Sequence, residues 1–103
     1  MNEAIQLNQN DAGVILSFHC RDENGDPIDL SKKAVDFFLY DDDTLINNGR
    51  TACTKPDSAL GVAEYTITKE DTISTGLFQG KLRLMGGPCD VRNIGSIPIL
   101  IKT

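Results

Sequence analysis

At 103 residues the chain has the length of one ordinary domain, and 40% apolar with 24% charged residues is the composition of a folding chain rather than a disordered tail. A formal net charge of −5 with scattered Lys and Arg argues against nucleic-acid binding, which draws most of its affinity from basic side chains on phosphates. No apolar run approaches the ~20 residues of a bilayer span, and the opening MNEAIQLNQN lacks the basic start and apolar middle of a signal peptide, so neither a membrane nor an export route is expected.

Hydrophobic alternation is the dominant signal, and it predicts strands. EAIQL, residues 3 to 7, reads as a weak strand. In GVILSFHC, Val14, Leu16, Phe18 and Cys20 fall on one face and Ile15, Ser17 and His19 on the other. The stretch DENGDPIDLS, residues 22 to 31, follows as a hairpin corner: Asn24-Gly25 supplies positive φ, Asp26-Pro27 extends the chain, and Ile28 and Leu30 turn back to the core. AVDFFLY places Val35, Phe37 and Leu39 inward and Phe38 and Tyr40 outward. DDDT, residues 41 to 44, reads as a solvated loop in which Asp41 and Asp43 converge, and Asn48-Gly49 as a tight turn into a weak strand, RTACT, at residues 50 to 54. GVAEYTIT puts Ala63, Tyr65 and Ile67 together, and Thr68 caps a single helical turn over Glu70 and Asp71.

LFQGKLRLM gives Phe78, Gly80, Leu82 and Leu84 inward against Gln79, Lys81 and Arg83. MGGPCDVRNIG, residues 85 to 95, is expected to be an irregular loop presenting Cys89, Asp90, Arg92 and Asn93 at a sandwich end. SIPILIKT aligns Ile97, Ile99 and Ile101, and Pro98 belongs where no partner strand asks for its missing donor. About seven short strands with turn signals every 8–12 residues predict an all-β fold, an immunoglobulin-like antiparallel β-sandwich in a single domain over residues 1 to 103.

Chemistry is harder to find. Asp22, Asn24 and Asp26 have the opening spacing of a calcium loop, but glycine falls at the fourth position and Lys33 stands where the closing glutamate belongs. As a plain turn, the segment should tolerate Asp22→Ala and Asp26→Ala with little change in stability. His19 is the only histidine, and Ser17 lies two residues away on the same strand face, near 7 Å, too far for a nucleophile–base hydrogen bond. The nearest basic pair, Lys81 and Arg83, has no aromatic neighbour placed to stack a base. Cys20, Cys53 and Cys89 contain no Cys-x-x-Cys pair and read as reduced thiols, with Cys20 in the core. No catalytic, cofactor-binding or metal-ligating residue is assigned, no cofactor is expected, and the enzyme reading has no residues to stand on.

The order of segments resembles the immunoglobulin-like N-terminal domain of phage baseplate upper proteins and related tail proteins. The Gly-x-Pro-x-Asp-Leu-Thr turn of that family is matched by Gly25, Pro27, Asp29, Leu30 and Ser31. Its Gly-Val-x-x-Tyr strand is matched by Gly61, Val62 and Tyr65, and its Gly-x-Tyr-x-Ala strand by Gly76, Phe78 and Gly80, with Phe78 in place of the usual Tyr and Leu82 where Trp is frequent. The resemblance implies a non-enzymatic structural module of a phage or prophage tail, partnered by other tail or baseplate proteins as a homo- or hetero-oligomer. It would be synthesised in the bacterial host cytoplasm and carried in the virion, either complete or as the N-terminal part of a longer tail protein. The competing expectation is an adhesin-like or carbohydrate-binding sandwich, for which the outward Phe38 and Tyr40 are the only aromatic platform.

Overall fold

Side chains two apart along a strand share a face, so each alternating run can commit one face to a common interior. The computed structural model describes residues 4–87 and 90–103, and in it these runs form an all-β sandwich of two sheets. The larger sheet is ordered β1 (Ile5–Asn8), β8 (Asp90–Lys102), β7 (Gly76–Gly87), β3 (Ala34–Asp41) and β4 (Thr44–Leu45). The smaller is ordered β2 (Ile15–His19), β6 (Val62–Thr66) and β5 (Thr54–Asp57). With β8-β7-β3 facing β2-β6-β5, the strands follow the G-F-C over B-E-D order of an immunoglobulin-type sandwich.

The core is the one that alternation predicts. Leu16, Phe18 and Cys20 from β2 and its end meet Val35, Phe37 and Leu39 from β3, Ala63 and Tyr65 from β6, Phe78, Leu82 and Leu84 from β7, and Ile99 and Ile101 from β8. Each fully buried Phe, Leu or Ile contributes roughly 1.5–3 kcal/mol by leaving water. An aromatic row crosses between the sheets: Phe18 stacks on Phe37 at 5.4 Å between centroids, and Phe37 on Tyr65 at 4.8 Å. Gly80 makes room for it, since a Cβ there would lie 2.6 Å from the Phe37 ring.

The DENGDPIDLS segment is a hairpin corner. Asp22 N–H donates to the Asp26 carbonyl (2.8 Å) and Gly25 N–H to the Asp22 carbonyl (3.0 Å), leaving three loop residues with Gly25 at φ +83°. Asn24 keeps a negative φ, so the turn is not the two-residue type with both centres positive. The Asp22 carboxylate accepts the N–H groups of Asn24 (2.9 Å) and Asp26 (3.0 Å), so Asp22 holds the turn together and is not interchangeable with Asp26.

Several expectations are corrected. The sandwich of about seven strands is present, with eight strands among the described residues, and the one departure from antiparallel order is β1, which pairs with β8 in parallel, Ile5 opposite Ile99. Val14 precedes β2 and stays exposed. Asp42 and Asp43 form the two-residue turn between β3 and β4, Asp42 at φ 58°, so strand alternation does not apply there and cannot make Asp41 and Asp43 converge. RTACT is not a ladder strand: it meets β3 at one bridge, Ala52 to Asp36, with Thr51 and Cys53 bonded on either side of it, before the chain crosses to the small sheet as β5. Residues 85–87 and 90–95 belong to the arms of the long β7–β8 hairpin rather than to a loop. The glycines that suggest a break there are absorbed by irregular register, Lys81 pairing Ser96 and Leu82 pairing Ile94 with Gly95 left over. Asp90, Arg92 and Asn93 are therefore strand positions, while Cys89 lies outside the described residues. Pro98 sits opposite Gln79, and β1 pairing begins only at the next residue.

Candidate functional site

Antiparallel register sets the residues that share the outer face of the large sheet. Tyr40 lies beside Gln79 and then Pro98, Phe38 beside Lys81 and then Ser96, and Asp36 beside Arg83. The two outward aromatics are half-buried because basic side chains from β7 fold over them. The Arg83 guanidinium carbon lies 4.8 Å from the Phe38 centroid and the Lys81 ammonium 5.2 Å from that of Tyr40, while the rings stand 6.5 Å apart. Each such contact is worth roughly 0.5–1 kcal/mol at a surface. Arg83 is also paired with Asp36 at 3.4 Å, whose other oxygen accepts the Thr51 hydroxyl at 2.9 Å. The Arg83 Nε is buried with no acceptor among the described residues.

Lys81 and Arg83, expected to have no aromatic neighbour placed to stack a base, each cover an outward ring themselves. The neighbours are across the strand pair, 41 and 45 positions earlier in the chain, where no local reading looks. This arrangement also bears on sugar recognition, which needs open ring faces: here Lys81 and Arg83 occupy one face of each ring. Leu77, exposed and paired with Leu100, and Leu45, paired with Tyr40, extend the same face with apolar surface.

A second cluster, unforeseen in the sequence, joins the sheets from inside. Asn47 is completely buried; its Oδ1 accepts the Leu39 N–H at 2.9 Å, and its Nδ2 donates to the Phe37 carbonyl at 2.8 Å and to the Tyr65 hydroxyl at 3.1 Å. The side-chain amide thus stands where a neighbouring strand's peptide would be. Above and below it, Phe37 N–H donates to the Thr51 carbonyl and Ile46 N–H to the Leu39 carbonyl, so the open flank of β3 is satisfied piece by piece. Tyr65 Oη donates to Asp71 Oδ2 at 2.8 Å, Asp71 Oδ1 pairs with Arg50 at 2.7 Å, and Arg50 also donates to the Thr68 hydroxyl at 2.6 Å. Asp71 closes a 3-10 turn over Lys69–Thr72 by accepting the Thr68 N–H, so the expected single turn is present with Thr68 at its cap. Burial, and then the bond to Asp71, push the Tyr65 hydroxyl above its ordinary range, which keeps it a neutral donor. Each member spends its polar atoms on another, as a structural brace requires.

The remaining sequence candidates stay apart. His19 and Ser17 lie exposed on β2. Cys20 and Cys53 are free thiols, Cys20 raised in pKa by burial and Cys53 pushed up to about 12 by burial and the nearby Asp36 carboxylate. Asp22, Glu23, Asn24 and Ile28 border an open depression, but the Asp22 carboxylate already serves two backbone N–H groups. Among the described residues no three His, Cys, Asp or Glu side chains cluster as metal ligands would, and no helix is long and apolar enough to cross a membrane.

No protein-family model matches the chain, and no curated protein is significantly similar to it.

Proposed function

We propose that the chain is a non-enzymatic structural module of a phage or prophage tail or baseplate, made in the bacterial host and carried in the virion, acting through protein–protein contact. The observation that carries the contact part of this reading is the outer face of the large sheet. Phe38, Tyr40, Leu45, Leu77 and Leu100 offer apolar surface there, and Lys81 and Arg83 offer donors already positioned over aromatic rings. Aromatic and Arg side chains with apolar surroundings are the residue types that dominate protein interfaces. The tail assignment rests on the resemblance through Gly25, Pro27, Asp29, Leu30, Ser31, Gly61, Val62, Tyr65, Gly76, Phe78 and Gly80. A carbohydrate-binding module is the weaker reading, because one face of each outward ring is covered by a cation.

The test is mass spectrometry of particles purified on a density gradient after prophage induction in the source strain. Peptides of this chain travelling with tail-bearing particles, and lost from them in a Tyr40→Ala, Arg83→Ala variant that still folds, are the expected result. Abundance in the lysate with absence from the particles would overturn the tail assignment.

A further inference from the structure

The sheets have four flanks, and they are not treated alike. Open strand edges template pairing with other chains, and proteins blunt them with charge, proline, bulges or short strands. On the large sheet, β4 is only two residues long, and the rest of the β3 flank is occupied by the Asn47 amide and by residues 51–53. At the opposite end β1 is four residues long, and β8 carries Pro98 just before its pairing with β1 begins. On the small sheet, β5 carries Lys55, Pro56 and Asp57 and a register shift. Among the described residues, β2 carries no such device. From Ala12 to Cys20 the chain has no formally charged residue, although 24% of the whole sequence is charged.

The open flank of β2 arises because β1, the strand just before it, joins β8 in the other sheet. Ile67 N–H donates to the Val14 carbonyl and Cys20 N–H to the Gly61 carbonyl, both at 2.7 Å, which aims the peptide groups of the even-numbered residues at β6. Those of Ile15, Ser17 and His19 therefore face outward. Ile15 beside them is 56% exposed.

We propose that β2 is a self-association edge: two copies pair antiparallel through β2 about a dyad at Ser17, joining two three-stranded sheets into one of six strands. This deepens the protein-contact reading above and rests on it. A second copy fits because the edge is self-complementary. About the Ser17 dyad, Ile15 faces His19 of the other copy, Ser17 faces its own counterpart, and within Ile15–His19 no formally charged side chain has to be brought against another. Leu16 and Phe18 keep their places in the core, so no refolding is required.

The test is sedimentation velocity on the full chain from ~10 µM to ~1 mM, the range in which an interface smaller than the usual ~1,200 Å² populates a dimer. The wild-type chain is expected to dimerise, and Ile15→Lys, which alters an exposed side chain, to be monomeric with an unchanged melting temperature. Thr54→Lys on the blunted β5 edge is the control and should dimerise as wild type does. Ser17→Cys should give, on mild oxidation, a cross-link between the two introduced cysteines, because residues paired on the dyad lie ~5.5 Å apart at Cα, within disulfide reach. A wild-type chain that stays monomeric, a dimer that survives Ile15→Lys, or a dimer without the Ser17→Cys cross-link would each overturn the proposal. Those outcomes leave the outer-face reading standing, since Phe38, Tyr40, Lys81 and Arg83 belong to the other sheet. Absence from tail particles would in turn say nothing of the dimer.

Discussion

Asn47→Ala removes the one side chain that stands in for a missing strand. Two buried backbone groups lose their partners, the Leu39 N–H and the Phe37 carbonyl, and the Tyr65 hydroxyl loses its donor while keeping Asp71. Leaving a buried polar group unsatisfied costs roughly 1–3 kcal/mol, so two of them predict a loss near 4 kcal/mol. Against a total stability of roughly 5–15 kcal/mol this is a large fraction, and for a domain of this size it corresponds to a fall of ~15–30 °C in melting temperature. Urea unfolding followed by tryptophan-free probes, far-UV dichroism or tyrosine emission, supplies the measurement, with an unchanged m-value showing that stability alone has moved. Asn47→Asp should do no better, because it keeps an acceptor for Leu39 but turns a second acceptor toward the Phe37 carbonyl. A loss below ~1 kcal/mol, the size of an exposed hydrogen bond, would refute the surrogate-strand argument.

Other expectations follow from single contacts. Gly61→Ala should cost ~3 kcal/mol or more, since the residue sits at φ +74° and a Cβ would meet the Cys20 carbonyl oxygen at 2.4 Å; thermal denaturation near wild type would show that the β2–β6 end gives way freely. Asp22→Ala should lose ~1 kcal/mol and Asp26→Ala almost nothing, equally in calcium and in chelator, and a calcium-dependent rise in melting temperature abolished by both changes would replace the turn with a metal loop. Tyr65 and Cys53 both ionise at higher pH folded than unfolded, so the stability they confer is complete below pH ~9 and is lost as pH rises from there toward their folded values. Tyr65→Phe should therefore flatten the alkaline decline seen in urea titrations at stepped pH, and an unchanged slope would mean that the hydroxyl is not confined as the structure has it.

Legibility in the sequence followed the range of the interactions. Period-two alternation is local, and it placed Phe37, Leu39, Tyr65, Phe78 and Ile99 in the core and Phe38 and Tyr40 outside it, as found. The turn at Gly25 and the cap at Thr68 are equally local. What sequence could not supply depends on partners far along the chain. Asn47 reads as one more polar residue in LINNG until β3 is seen to lack a neighbour there, and Lys81 reads as solvated until Tyr40 arrives beneath it. Residues 85–87 and 90–95 depart from the loop expectation for the opposite reason: their glycines signal a loop locally, but eleven paired positions between β7 and β8 hold the arms in register and absorb the irregularities as bulges.

The residues that carry the family resemblance have structural tasks. Gly25 supplies the positive φ of the hairpin corner, the Asp29 carboxylate accepts the Ser31 N–H at 3.0 Å, and Leu30 is fully buried. Gly61 lets β6 approach the Cys20 carbonyl, Tyr65 links Asn47 to Asp71, and Gly80 clears the Phe37 ring. A pattern made of such positions records how the sandwich closes and turns, so it speaks for fold and leaves function to positions it skips. On the readings proposed above, those positions are Phe38, Tyr40, Lys81 and Arg83 on one sheet and Ile15 and Ser17 on the edge of the other. The two sets should separate in experiment: changes to Gly61 or Tyr65 should act through stability at every concentration, whereas Ile15→Lys should leave the melting curve in place, and Tyr40→Ala should cost no more than about the 0.5–1 kcal/mol of its surface contact with Lys81 while altering what the folded chain joins.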